Sequence, residues 1–203
     1  MLQQECERLD PRIRRTRELL HGALRRLLET KEFDTISVQD ITEAATLNRA
    51  TFYAHYSDKF ALLGELIRVS FLQLLQQRNV RFDGTCPSAI QVVVLAVSDY
   101  LLDVQKSLPA KQPQFDAFLQ ATVIDQVRLV LLEGFRSHPI ERRISAETIS
   151  ATASWAIYGA ASQWVNSPDR GPQDEFVKVA AELVQPIMTA GAGSLSAGDR
   201  AHN

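Results

Sequence analysis

Apolar residues recur along most of the chain every three to four positions, which is the spacing of helices that bury one face. The alternation of β-branched and polar residues that marks strands is weak throughout. Glycine and proline stand mostly between the periodic segments, where they mark breaks. The pattern therefore predicts an all-α protein.

The first predicted helix begins at Pro11, behind the capping residue Asp10, and continues to about Thr30. Ser37 is predicted to cap the second helix and Ser57 the fourth. The later helices are expected at Val38–Ala45, from Arg49 to about Tyr56, from Ser57 to about Asn79, and at about 89–106, 114–136, 146–166 and 173–190. Residues 8–58 are expected to form a compact N-terminal domain and 59–190 a helical bundle, followed by a disordered tail at 191–203.

The string RATFYAHY, residues 49–56, is unusual for a helix that only faces water. At about 100° per residue, Phe52 and Tyr56 fall on one side, and the small residues Ala50 and Thr51 fall on the other. Long polar side chains stand at the edges of this small outward face. A short helix, the three-residue turn 46–48 and this second helix together predict a helix-turn-helix, whose second helix enters the DNA major groove.

Candidate DNA contacts surround the predicted motif. The expected base-edge contacts are Arg49 and Thr51, with Ala50 keeping the helix close to the bases. The expected phosphate contacts are Ser37, Thr42, Asn48, Tyr53, His55 and Lys59. Around the first helix, the arginines outnumber the acids Asp10 and Glu18: they are Arg8, Arg12, Arg14, Arg15, Arg17, Arg25 and Arg26. They form a local basic patch that the formal net charge of −2 conceals, although for any single arginine a solvated face is the plainer interpretation.

The segment ISVQDITEAATLNRATFYAHYSDKFALLGELI resembles the DNA-binding domain of the tetracycline-repressor (TetR) family of bacterial transcription regulators. The resemblance covers about Pro11 to Ile67, and RATFYAHYSDKFAL matches the family's recognition helix and the start of the next helix. Thr46 departs from the pattern, because such sequences usually place glycine in the turn; some strain is expected there. The resemblance implies a homodimer that binds an operator, usually as a repressor, and releases it when a small molecule enters the C-terminal domain.

The last two predicted helices each carry a stripe that a single chain has no evident layer to cover. A symmetric partner is therefore expected to cover both stripes in a four-helix dimer interface. Its predicted members are Thr152, Trp155, Ala156, Gly159, Ala160, Gln163, Phe176, Val179 and Leu183.

A pocket for a small hydrophobic or aromatic effector is expected among the helices of the C-terminal part. The reason is a mixture of mostly apolar residues with a few polar ones that would orient a ligand. The candidate residues are Leu95, Asp99, Leu102, Phe118, Thr122, Gln126 and Trp155. A surface position for Asp99 and Gln126, and a plain core position for Trp155, remain open.

Composition restricts the other classes of function. Cys6 and Cys86 stand far apart in no pairing pattern, and the first nine residues are polar, so a cytoplasmic protein without a membrane span, metal or cofactor is expected. The histidines are isolated and a glycine-rich phosphate loop is missing, so no catalytic residues are predicted. A helical enzyme and a dimeric helical adaptor that does not touch DNA are the alternatives.

Overall fold

The computed structural model describes residues 10–80, 87–108, 112–137 and 143–191, and in these ranges the chain is helical without strands. In chain order the α-helices are α1 Pro11–Leu28, α2 Val38–Ala45, α3 Arg49–Tyr53, α4 Lys59–Gln77, α5 Pro87–Ser107, α6 Pro113–Ser137, α7 Ala146–Asn166 and α8 Gln173–Thr189. A 3₁₀ turn, Phe33–Thr35, joins α1 to α2. The all-α prediction is confirmed. Arg8, both cysteines and the expected tail after Gly191 lie outside the described residues.

The predicted starts of the helices agree with the structure more closely than the predicted ends do. Asp10 caps α1, and Ser37 caps α2 in a reciprocal capping box with Asp40. The predicted cap of α4 is wrong by one residue, because the carboxylate of Asp58 accepts the Ala61 N–H at 2.8 Å. Helix α3 ends at Tyr53, earlier than predicted, with Ala54 as its C-cap.

The described residues form two compact units. The first consists of 10–70 with 103–108 and 112–122, and the second of 71–80, 87–102, 123–137 and 143–191. By packing, the first unit therefore extends beyond residue 58 and takes in the start of α6. The division into functional domains at residue 58 stays a prediction.

In the first unit α1 packs against α2, and α2 against α3. The core is made of leucines of α1 and α4, apolar residues of the connection and α2, and the aromatic residues Phe52 and Tyr56. Its fully or nearly buried members include Leu20, Leu24, Phe33, Ile36, Ile41, Phe52, Tyr56, Leu62 and Leu63.

In the second unit α7 packs against α8. Helix α5, which belongs to this unit up to Leu102, is apolar: by length and composition alone, Ser88–Ser107 could span a membrane, which the sequence analysis did not anticipate. Half of its most apolar window (50%) is buried inside the protein, as in a helix that packs into a core. Asp99 on this helix forms an ion pair with Arg78 and accepts a hydrogen bond from Gln173 at 2.7 Å.

Thr46 closes the turn between α2 and α3 in the left-handed conformation, with φ 56° and ψ 44°. Its N–H donates to the carbonyl of Glu43 at 3.1 Å, and the Leu47 N–H donates to that of Thr42 at 2.9 Å. These are the two hydrogen bonds of a Schellman motif, which commonly has glycine at this position. A β-branched residue is disfavoured there because its Cβ crowds the following carbonyl.

A polar network borders the core of the first unit. The Tyr56 hydroxyl lies 3.0 Å from Nε2 of His21, and Arg17 donates to Glu65 at 3.1 Å. Burial lowers the pKa of His21; the Glu65 charge acts in the opposite direction, and Arg25, Arg17 and Arg68 lower the pKa further. Burial likewise raises the pKa of Tyr56. The network therefore favours neutral rings at both positions.

The Thr46→Gly variant should be more stable than the parent, with the free energy of unfolding higher by about 1 kcal/mol, because glycine relieves the left-handed strain. Urea denaturation measures this. Asn79→Gly is the matched control: Asn79 also has a positive φ, 50°, but asparagine tolerates it. A gain at Asn79 as large as the gain at Thr46 would show that strain at Thr46 is not the cause.

Acid should destabilise the protein partly through His21. Its pKa is lower in the folded state than the unfolded value of 6.5, so unfolding takes up a proton. The stability that neutral His21 contributes is complete above that value and is lost as the pH falls from about 6.5 towards the folded pKa. Denaturation between pH 7.5 and about 5 should therefore show a smaller loss for His21→Gln than for the parent. Parallel losses in the two proteins would contradict this.

Candidate nucleic-acid interface

Helix α3 has five residues and is held in place from inside the protein. Phe52 is completely buried, and the Asn48 side chain caps the helix by accepting the Ala50 N–H at 2.9 Å. Arg49 and Ala50 are exposed, and Thr51 is half-buried. The predicted small outward face is thus present on the surface.

Tyr53 and His55 stand at the edges of this face. Half of the Tyr53 side chain is exposed (50%), while its ring packs edge-on against Phe52 with the centroids 5.4 Å apart. His55 follows the helix and is half-buried. An aromatic ring that is fixed by the core and open to solvent can present a hydroxyl at a defined position.

Ser37 and Asn48 are exposed at the starts of α2 and α3, and both already serve as helix caps. The Ser37 hydroxyl accepts the Asp40 N–H, and Asp40 in turn binds Lys31 at 2.8 Å. Hydrogen bonds from Lys31 and Ser37 hold the pKa of Asp40 well below its usual range. The carboxylate therefore stays charged and keeps the start of α2 in place.

The expected phosphate contact of Thr42 is wrong. Only 3% of its surface is exposed, and its hydroxyl donates to the carbonyl of Gln39 at 3.0 Å. Thr42 faces the interior because it lies on the same side of α2 as Ile41 and Ala45, which are buried.

Lys59 is also placed differently from the prediction. Its ammonium group donates to the carbonyls of Phe33, Asp34 and Ile36 at 2.9, 3.0 and 2.8 Å. It also lies over the Phe33 ring, 4.7 Å from the centroid. These contacts occupy the donors of the ammonium group, so we assign Lys59 a structural role in place of the phosphate contact.

Most arginines of α1 lie at the surface, and some of them also bind within the protein. Arg17 binds Glu65, Arg25 donates to Ser70 at 3.1 Å, and Arg26 donates to the Ala44 carbonyl at 2.9 Å. Arg12, Arg14, Arg15, Arg25 and Arg26 are exposed, and Arg17 is half-buried. The basic patch is therefore present on the surface, although three of its arginines already have a hydrogen-bond partner in the protein.

The predicted dimer residues form an exposed face on α7 and α8. Exposed fractions are 59% for Trp155, 56% for Val179 and 70% for Leu183. Thr152, Gly159 and Gln163 are also exposed, whereas Ala156, Ala160 and Phe176 are half-buried. Phe176 stacks on Trp164 with the ring centroids 4.9 Å apart.

The predicted effector residues are divided between the two units. Leu95, Asp99, Leu102, Gln126 and Trp155 belong to the second, and Phe118 and Thr122 to the first. Gln126 is buried, but Asp99 is engaged by Arg78 and Gln173. The exposure of Trp155 favours its dimer role over a pocket role.

Gln112 is a residue that sequence reasoning missed. It is buried, and its Oε1 accepts the Phe33 N–H at 2.6 Å, 79 residues away along the chain. The only signal in the sequence is its position before Pro113, where a helix cap is common.

Comparison with known proteins agrees with this geometry. Residues 20–66 match the family model described as bacterial regulatory proteins, tetR family. An uncharacterised HTH-type transcriptional regulator of Bacillus subtilis, YxbF, is 36% identical over 75 residues, which are 36% of this chain and 20% of YxbF. The HTH-type transcriptional regulator EthR of Mycolicibacterium smegmatis is 27% identical over 142 residues, 69% of this chain and 51% of EthR.

The chain thus spans about a fifth of one curated relative and half of the other. A solved TetR-family regulator from Streptomyces coelicolor has the same fold: at 18% identity the TM-score is 0.61, over 89% of this chain and 98% of the other. The helix-turn-helix geometry, the family match over α1 to α4 and the shared fold lead to one conclusion. Residues 20–66 of the chain resemble the tetR family of bacterial regulatory proteins, and the chain shares its fold with a solved regulator of that family.

Proposed function

We propose that the protein regulates transcription by binding a palindromic operator as a homodimer, with α3 of each subunit in a major groove. The observation that carries this proposal is the small exposed face of α3, held by the buried Phe52 within the segment that matches the family. Two half-sites about one helical turn apart, or a multiple of one, suit a symmetric dimer. Repression is the expected direction of regulation.

In this proposal the residues of the interface have two kinds of role. Arg49 reads a guanine, because two guanidinium donors match O6 and N7, and Thr51 contacts a neighbouring base edge. Ala50 lets the helix approach closely. The phosphate contacts come from Tyr53 and His55 at the edges of α3, with the exposed caps Ser37 and Asn48 beside them.

Arg49→Ala should weaken operator binding by about 1–3 kcal/mol per half-site and relax the preference at one base position. Tyr53→Phe should weaken binding to specific and unrelated DNA about equally, because a phosphate contact carries no sequence information. Gel-shift titration against operator and scrambled DNA measures both effects. The operator is first selected from genomic fragments with the parent protein.

Lys178→Ala, on an exposed face of α8 in the second unit, is the control for a loss of positive charge away from the interface. It should bind like the parent. If the Arg49 and Tyr53 variants, folded and dimeric, also bind like the parent, α3 does not read DNA. If the parent binds no genomic fragment, the protein is an adaptor or an enzyme instead.

We infer that the dimer forms through α7 and α8. Trp155, Val179 and Leu183 expose a large apolar area on these two helices, and a second copy would cover it. The small residues Ala156, Gly159 and Ala160 would let the partner helix come close. A Cβ added at Gly159 meets nothing within 4 Å in the isolated chain, so the space outside this helix is open.

Leu183→Asp should convert the dimer into a monomer at micromolar concentration, because it places a charge in the apolar contact. Sedimentation velocity measures this. Lys178→Asp changes the charge on another face of the same helix and should leave the dimer intact. A Leu183→Asp protein that sediments as the parent dimer would move the interface elsewhere.

We further propose a small hydrophobic or aromatic effector that binds the second unit and releases the operator. Support comes from the regulator RolR, solved with resorcinol, at 16% identity and a TM-score of 0.52 over 91% of this chain and 98% of RolR. Within the second unit Leu95, Leu102 and Gln126 are the best candidates, and the buried amide of Gln126 would orient a ligand. A thermal-shift screen with phenols should find compounds whose shift decreases in Gln126→Leu; an undiminished shift would place the site elsewhere.

A further inference from the structure

The segment from Phe33 to Ile36, here called the 33–36 segment, is held on its carbonyl side by one lysine. Lys59 donates to the carbonyls of Phe33, Asp34 and Ile36, and its ammonium group lies over the rings of Phe33 and Phe60. A single flexible side chain thereby satisfies three main-chain acceptors of this segment.

The N–H side of the same segment is held by a residue distant in sequence. The Phe33 N–H donates to Oε1 of Gln112 at 2.6 Å, inside the first unit. Because the Phe33 N–H can only donate, the amide oxygen must face it, and the Nε2 group must point away. Nε2 of Gln112 is buried and finds no hydrogen-bond partner among the described residues.

Packing reinforces this contact. The Phe33 ring lies edge-on to Phe60 at 5.3 Å, and Phe60 stacks on Phe118 of α6 at 5.2 Å. Gln112 and Phe118 belong to the same short stretch, the residue before α6 and its first turns. The start of α6 therefore contacts the 33–36 segment and its neighbour Phe60 by both polar and aromatic groups.

The 33–36 segment controls where α2 begins. Ile36 is buried, and the next residue, Ser37, is the N-cap of α2. The C-terminus of α2 is joined to α3 by the short turn 46–48. A shift of this segment would displace α2, and α3 packs against α2. The position of α3 thus depends on contacts that lie outside the helix-turn-helix.

We propose that Gln112 is a positioning residue for operator binding: it touches no DNA, and it holds the 33–36 segment so that α2 and α3 meet the operator in the right place. This inference rests on the proposed DNA binding. The unpaired Nε2 offsets part of what the hydrogen bond contributes, so the contact is one that can open. A leucine at this position would leave the Phe33 N–H without an acceptor.

The test compares three variants of the whole chain with the parent. Gln112→Leu should weaken operator binding about tenfold and accelerate hydrogen exchange at the Phe33 amide by a similar factor, because a buried donor has lost its acceptor. Gln112→Glu keeps an oxygen at the same position and should restore the slow exchange and bring operator affinity to within about threefold of the parent. Gln114→Leu, an exposed position on the first turn of α6, is the matched control and should resemble the parent.

The proposed DNA binding and the positioning role of Gln112 can be refuted independently of each other. A parent protein that binds no DNA would end the proposed function, while the exchange at Phe33 would still decide whether Gln112 holds the segment. Parent-like operator binding by a Gln112→Leu protein with fast Phe33 exchange would overturn the positioning role. Unchanged Phe33 exchange in that variant would overturn the contact itself. If Gln112→Leu does not fold, Gln112→Asn takes its place, because its amide oxygen lies about 1.5 Å farther from Phe33. It should weaken operator binding and accelerate exchange at the Phe33 amide by similar factors.

Discussion

The burial of Phe52 is the constraint on which the candidate interface depends. A helix of five residues is far too short to be stable by its own hydrogen bonds, so α3 exists only because it is anchored. Phe52 is fully buried, and Tyr56, one turn later along the chain, is 4% exposed. Once these two rings point inward, the helical period places Ala50 on the outward side and Tyr53 at its edge, while Arg49 is exposed at the start of the helix. The character of the outward face is then a consequence of the core.

Several hydrogen bonds before and after α3 add to this anchoring. Thr46 reverses the chain before the helix at the cost of a strained backbone, and the Asn48 side chain accepts the free N–H of Ala50. Tyr56 extends the anchor to α1 through His21, beside the Arg17–Glu65 ion pair. Each of these contacts limits the rotation of a helix that otherwise has a single apolar side chain to hold it. The orientation of α3 is therefore fixed by several weak contacts together with the burial of Phe52.

Local patterns in the sequence predicted the helices and the outward face of α3 because both follow from periodicity and capping. The bounds of α2, α3's first residue and the bounds of α7 agree with the structure residue for residue. Thr42 was misplaced because its residue type was given more weight than its position on the buried side of α2, beside Ile41 and Ala45. Gln112 was not predicted at all, since a contact over 79 residues leaves no mark in a local pattern. What periodicity cannot provide is the pairing of distant polar groups.

Lys59 shows why a match of residue types does not settle the role of a residue. A phosphate oxygen and a main-chain carbonyl are both acceptors, and an ammonium group beside a recognition helix suits either one. The 33–36 segment turns three carbonyls towards Lys59, and they occupy its donors. Arg25 and Arg26 are a different case: they donate to Ser70 and to the Ala44 carbonyl, but they remain exposed and keep their charge at the surface. Whether a cation near α3 is available to a phosphate therefore depends on how many of its donors the fold already occupies, and not on residue type.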